Sequence, residues 1–274
     1  MKRVIQISDT HLSAGKRHFA ANWAPLRDWL LAQRPDYVIH TGDVTVDGAD
    51  VDDDLEYCAG LLRELPVPVL AVPGNHDVGE PHHAHQPINA ARIARWRRHF
   101  GPDWWSLDVE RWRLIGLDSM LFGSGLPEED EQRAWLDATL AAAGGRALAW
   151  FTHRPLFLEH PDEGDSGYWA VKPAMRAPLV ARVREHGVAL VATGHLHQMQ
   201  VRDHDGCRYV FGPSSGFVVS EQRQGPMPGD KSLGAIVYDF DGTSVDVRAA
   251  ELPALERFFI DDVIDEVYPA RRVV

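Results

Sequence analysis

Short apolar, β-rich runs alternate with helix-like stretches through the first two thirds of the chain. The alternation predicts a strand over residues 4–8 and a helix over 22–33, where Trp23, Leu26, Trp29 and Leu30 fall at helical spacing. Pro35 ends that helix. A strand over 37–41 precedes a helix over 51–65 with Leu55, Cys58, Leu61, Leu62 and Leu65 on one face. Asp50 and Asp52 to Asp54 stand at its start, where negative charge is favoured. Pro66 and Pro68 frame a strand over 69–72. Then follow a helix over 87–100 with a basic outer face, a strand over 113–118 and a helix over 129–143 closed by Gly144 and Gly145. A strand over 147–152, a helix over 174–186 and a strand over 189–193 complete this portion. After His197 the pattern changes to short strands over 198–202, 207–211, 217–219, 235–240 and 244–249. Turns such as Asp205-Gly206 and Asp241-Gly242 join them. A last helix is predicted over 253–268 with Leu255, Phe258, Phe259 and Ile264. Such an order predicts packed sheets with helices outside, in the α/β class.

The 274 residues and 45% hydrophobic content allow one large domain or two modest ones. No apolar stretch reaches the ~20 residues a membrane span needs. The first residues enter a strand-like run at once, so no signal peptide is expected. Cys58 and Cys207 have no metal-type spacing and make no disulfide framework, and a reducing cytoplasm is the expected compartment. The formal net charge of −12 argues against a nucleic-acid partner. It also conflicts with a phosphate substrate, unless divalent cations reverse the local field.

Five apolar runs are each followed by ligand-type residues: Asp9 and His11, Asp43, Asn75 with His76 and Asp77, His153, and His195 with His197. In an extended segment residues two apart point the same way, so Asp9 with His11, and His195 with His197, can serve one site. Gly42 lets backbone approach closely beside Asp43. Each cluster has an ordinary reading by itself. Asp9 starts a turn, Asn75 and Asp77 stabilise one, and His153 is a polar residue in a loop. Five strand ends carrying such residues together point instead to one sheet edge holding carboxylate, imidazole and amide groups. That donor set suits a metal site, with two ions expected.

The order Asp-x-His, Gly-Asp, Gly-Asn-His-Asp, His, Gly-His-x-His resembles the calcineurin-like metallophosphoesterase superfamily over residues 4 to about 215. Leu117-Asp118-Ser119, followed by Gln132 and Trp135-Leu136, looks most like its bacterial branch of class III cyclic-nucleotide phosphodiesterases and glycerophosphodiesterases. The resemblance implies a four-layer α/β/β/α sandwich of two mixed sheets flanked by helices. It implies Asp9, His11, Asp43 and His197 around a first ion. Asp43 would bridge to a second held by Asn75, His153 and His195. His76 would bind no metal and would face the substrate's leaving group. Residues 1–251 would form the catalytic domain and 252–274 a helical extension serving as a cap or oligomer contact.

The expected activity is hydrolysis of a small phosphodiester, of cyclic-nucleotide or glycerophosphodiester type, by a metal-activated hydroxide. Two ions ~3.5–4 Å apart would clamp the phosphoryl oxygens, and His76 would serve the leaving oxygen. Two divalent transition-metal ions, Mn, Fe, Co or Zn, suit these donors, and the sequence does not choose among them. Many relatives carry a second His and Pro after the strand-end His. Here Arg154 stands next, as a phosphate donor or a solvated side chain. Residues 81–86, rich in His, read as a solvated loop or part of a lid. Phe258 and Phe259 would suit a homodimer surface or pack back on the core. The rival activity is a phosphomonoesterase on the same centre. A non-catalytic scaffold would be free to lose ligands, yet every matching position is filled.

Overall fold

The computed structural model describes residues 1–269. One sheet has the order β11-β10-β1-β2-β3, built from β1 (Lys2–Ile7), β2 (Tyr37–His40), β3 (Val69–Ala71), β10 (Gly234–Asp241) and β11 (Ser244–Glu251). The strands β1, β2 and β3 run parallel, and β10 and β11 are antiparallel additions. The second sheet has the order β4-β5-β6-β7-β9-β8. It contains β4 (Trp105–Val109), β5 (Trp112–Leu117), β6 (Ala147–Thr152), β7 (Val188–Thr193), β8 (Gln200–His204) and β9 (Cys207–Phe211). Strands β5, β6, β7 and β9 are parallel, edged by antiparallel β4 and β8. Both sheets are therefore mixed. The runs Ala-Leu-Ala-Trp-Phe-Thr and Val-Ala-Leu-Val-Ala-Thr of β6 and β7 are apolar at almost every position. Strands covered on both faces need that composition.

Val4, Ile39, Leu114, Phe151, Leu190, Ile236, Tyr238 and Phe240 fill the space between the sheets. The outer face of the first sheet is covered by α1 (Trp23–Gln33), α2 (Asp52–Arg63) and α4 (Ala90–Phe100) through Leu26, Leu30, Leu55, Leu62, Ile93 and Trp96. The outer face of the second is covered by α5 (Pro127–Ala141) and α6 (Pro173–His186) through Leu136, Leu140, Leu179 and Val183. The result is the expected four-layer sandwich. Two single-turn helices, α3 (Asn75–Val78) and α7 (Glu221–Gln224), lie in loops. No helix among the described residues is long and apolar enough to cross a membrane.

Three segments differ from the sequence expectation. Residues 217–219 form no strand; Val218 makes one isolated bridge to Phe259. Strand β4 was not predicted, although Trp105, Leu107 and Val109 alternate with polar Ser106 and Asp108. The last helix, α8, spans only Ile260–Val267. Asn22 explains its late start: its Oδ1 accepts from Glu256 N (2.7 Å) and its Nδ2 donates to Glu256 O (2.9 Å). Those are backbone groups that a helix over 253–268 would have used itself. Phe258 packs on Phe19 with ring centroids 5.8 Å apart, whereas Phe259 is exposed beneath Arg257.

Candidate metal centre

Parallel strands put their carboxyl ends at one edge of their sheet. The candidate residues stand just beyond β1, β2 and β3 of the first sheet and β6 and β7 of the second, so the site joins the edges of two sheets and not, as expected, of one. Seven side chains converge there: Asp9, His11, Asp43, Asn75, His153, His195 and His197, all buried. His197 Nε2 lies 3.3 Å from Asp9 Oδ1 and 3.3 Å from His11 Nε2. His153 Nε2 lies 3.2 Å from Asn75 Oδ1 and 3.1 Å from His195 Nδ1. Between these groups sits Asp43. Its Oδ2 is 3.3 Å from His153 Nε2 and 3.8 Å from His11 Nε2, while its Oδ1 accepts from His76 N (2.9 Å).

The backbone is bent to achieve this. Asp9, His11, Asp43, His195 and His197 all have left-handed backbone, with φ between 42° and 69°. Each such non-glycine residue costs of order 1–3 kcal/mol and persists only where its surroundings over-determine it. Close approach of the loops demands glycine beside them. A Cβ at Gly42 would sit 2.6 Å from His153 Nδ1, and one at Gly194 would sit 2.6 Å from Asp9 Oδ2.

The residues fit a pair of cations. Asp9 Oδ1 is buried without a hydrogen-bond partner. His153 Nδ1 and His195 Nε2 each meet a main-chain carbonyl and so carry the proton of a neutral ring. That leaves the lone pairs of His153 Nε2 and His195 Nδ1 facing each other at 3.1 Å, an arrangement that a cation between them relieves. The ligand atoms of Asp9, His11 and His197 lie within 4.8 Å of one another, and so do those of Asp43, His153 and His195. The nitrogens turned away from the cluster are also held. His153 Nδ1 is 2.8 Å from Thr41 O, His197 Nδ1 is 2.8 Å from Phe217 O, and His195 Nε2 is 3.0 Å from Tyr168 O. Such partners fix ring orientation and raise ligand basicity.

Charge is organised accordingly. Burial alone would raise the Asp9 carboxyl, but His197 and His153 hold it well below its usual range. Burial is likewise outweighed at Asp43, where His153 and His76 keep the carboxylate ionised. Burial keeps His11 and His195 neutral far below the ordinary imidazole range. His153 goes up, to about 9: burial opposes its charge, and Asp43 more than compensates.

His76 stands apart, with its side chain 19% exposed and its Nε2 4.0 Å from Asp43 Oδ2. Its ligand atom nonetheless comes within 4.8 Å of those of His11 and Asp43, near enough to compete for an ion. Asp77 points away from the cluster. It accepts from Gly74 N (2.9 Å), Thr45 N (2.9 Å) and Thr45 Oγ1 (2.7 Å), tying the loops after β2 and β3 together. Burial, followed by Asp43, pushes its carboxyl up to about 7.

Arg154 is not solvated. Its side chain is largely buried, Nη2 meets Glu80 Oε2 at 2.5 Å, and the guanidinium lies 5.7 Å from the Tyr168 ring centre. With Glu80, His82, His83, Tyr168 and Lys172 it lines a cavity of ≈ 570 Å³. Residues 81–83 thus border this cavity. Tyr168 joins it to the cluster: its hydroxyl accepts from Asn75 Nδ2 (3.2 Å), and its ring lies 4.7 Å from that of His195. Neither Tyr168 nor Tyr268, whose hydroxyl lies 2.8 Å from His11 Nδ1, was singled out in the sequence. No motif surrounds either tyrosine, and both arrive from segments outside the strand ends.

Known proteins are similar to this chain in sequence. The zebrafish serine/threonine-protein phosphatase CPPED1 is 32% identical over 165 residues, covering 58% of this chain and 51% of the relative. This chain thus spans about half of that relative's length. A protein of Arcobacter nitrofigilis described as a probable glycerophosphodiester phosphodiesterase, GpdQ, is 28% identical, covering 72% of each chain. The 3',5'-cyclic adenosine monophosphate phosphodiesterase CpdA of Escherichia coli is 28% identical, covering 78% of this chain and 76% of the relative. The family model for calcineurin-like phosphoesterase matches residues 2–199, a span that contains all five strand-end clusters. With that match and the converging side chains, the chain belongs to the calcineurin-like phosphoesterase family.

Proposed function

We propose that this chain is a metal-dependent hydrolase of a small phosphodiester, of the cyclic-nucleotide or glycerophosphodiester type. The observation that carries the reading is Asp43 Oδ2, placed between the imidazoles of His11 and His153 with a donor set on either side. Asp9, His11, Asp43 and His197 would hold one ion, and Asp43, Asn75, His153 and His195 the other. When bound, two ions supply Lewis-acid charge at the phosphoryl oxygens and lower the pKa of attacking water. Mn, Fe, Co and Zn all suit the mixed nitrogen and oxygen donors. The chain's own contributions are orientation and proton transfer. Asp43 and Asp9 concentrate negative charge where cations are to sit. His76, at the open side, would donate to the leaving oxygen. Arg154, held by Glu80, would face the substrate from the cavity wall and donate to a phosphate oxygen.

The relatives of A. nitrofigilis and E. coli favour a diester. The zebrafish relative, described as a phosphatase, supports the monoester reading. A panel of bis(nitrophenyl) phosphate, nitrophenyl phosphate, cyclic AMP and glycerophosphodiesters on the metal-reconstituted protein separates the two. Faster turnover of nitrophenyl phosphate than of every diester would remove the diester reading. Both cysteines are free and buried, in keeping with work in a reducing compartment such as the cytoplasm.

The two sites should differ in affinity. The first has two carboxylates, one shared, whereas the second substitutes the neutral Asn75 amide. On dialysis against a weak chelator the second ion is expected to leave first. Metal analysis at intervals checks this, and simultaneous loss of two equivalent ions would contradict it.

A further inference from the structure

Each expected imidazole ligand needs a partner on the nitrogen turned away from its ion, and His11 finds its partner differently from the rest. His153, His195 and His197 use main-chain carbonyls of the body of the fold. The partner of His11 Nδ1 among the described residues is the hydroxyl of Tyr268, 2.8 Å away, carried just past the end of α8. For His11 Nε2 to present a lone pair, the ring proton must sit on Nδ1, where it donates to the phenol oxygen. The same tyrosine ring lies over His76, with centroids 4.4 Å apart.

The segment that delivers Tyr268 is firmly seated. Ile260 and Val267 are buried in one cluster with Phe19, Val46 and Phe217. Asp261 Oδ1 accepts from Ser220 Oγ at 2.7 Å, and Lys16 Nζ donates to Val267 O at 2.5 Å. Asn22 clamps Glu256 upstream. Tyr268 N donates to Ile264 O at 2.7 Å, so the last helical turn sets where the phenol stands.

We infer that Tyr268 is a positioning residue of the metal centre: through His11 Nδ1 it sets the ring that faces the first ion, making the C-terminal helix part of the site. The inference rests on the reading of these residues as a metal centre. It concerns orientation, since the hydroxyl meets His11 at Nδ1, the nitrogen turned away from the ion.

The test uses the full chain with Tyr268→Phe, which keeps the ring and removes the hydroxyl. Mn(II) binding is measured calorimetrically in this variant and in the parent. The same pair is repeated in an Asn75→Ala background, where the second site is weakened. The first site is expected to lose about 10–100-fold in affinity, the usual effect of removing such a partner, while the second stays within about twofold. In the metal-free protein, long-range nitrogen–proton NMR spectra should show a changed tautomer balance at His11 alone. Thermal melting checks that the variant is folded. Should Tyr268→Phe bind both ions as the parent does, with the His11 signals unmoved, the inference is overturned. Should the parent itself bind no Mn(II), the metal-centre reading fails instead, and the two failures are distinct.

Discussion

Asp43→Ala is expected to empty the centre and to cost on the order of 10³-fold or more in kcat. In the proposed ligand sets the carboxylate is the one group shared by both ions. Its Oδ2 lies 3.3 Å from His153 Nε2 and 3.8 Å from His11 Nε2. Removing it leaves two pairs of facing imidazoles with only Asp9 to offset a cation. The charge stabilisation that metals supply is worth several kcal/mol, and each 1.36 kcal/mol is tenfold in rate. About 4 kcal/mol therefore corresponds to roughly 10³-fold. Asp43→Asn is the sharper variant, because its remaining oxygen can still accept from His76 N, as Oδ1 does now at 2.9 Å. It removes charge while sparing that loop contact. Metal content after gel filtration, followed by turnover of bis(nitrophenyl) phosphate, checks both variants. Two retained ions together with turnover within about tenfold of the parent would refute the bridging role.

His76→Ala should act differently: both ions stay, and kcat falls about 10²–10⁴-fold, the usual range for a lost general acid. The fall should be smallest for a nitrophenyl leaving group, which departs without a proton, and largest for an alkoxide. Two features support this. The ring is the part-exposed member of the cluster, and it stands on α3 after the loop from β3, 4.0 Å from Asp43 Oδ2. The competing reading has a physical basis too, since His76 can reach the same space as His11 and Asp43. Metal stoichiometry decides between them. An ion lost with the imidazole makes His76 a ligand, and equal losses for nitrophenyl and alkyl leaving groups remove its acid role.

Much of this centre was legible along the chain because its residues stand a few positions beyond apolar runs. A parallel strand ends where its apolar run ends, so Asp9 and Asp43 mark the carboxyl edge of the first sheet and His153 and His195 that of the second; that the two edges meet was not legible. The helices were legible for the same reason: Leu26 and Leu30 of α1, and Leu55, Cys58 and Leu62 of α2, keep one face apolar and are buried. Where a segment has no period of its own, the reading failed. Residues 253–259 carry apolar side chains that suggest a helix, yet Asn22 takes the backbone of Glu256. Such a contact spans more than two hundred residues and leaves no local trace. Arg154 shows the same limit, since whether it met solvent or a partner depended on Glu80, which comes from another loop.

The chain by itself determined the α/β layering and which polar residues stand just past five strand ends. These follow from local periodicity and from the rule that parallel strands open their carboxyl ends at one edge. The tertiary structure alone decided which atoms share a space. It set Asp43 Oδ2 between two imidazole groups, turned Asp77 into a tie between loops, paired Arg154 with Glu80, and brought Tyr268 to His11. Distances of about 3 Å between residues far apart in sequence are fixed by packing of whole layers and by left-handed turns, and no local pattern encodes either.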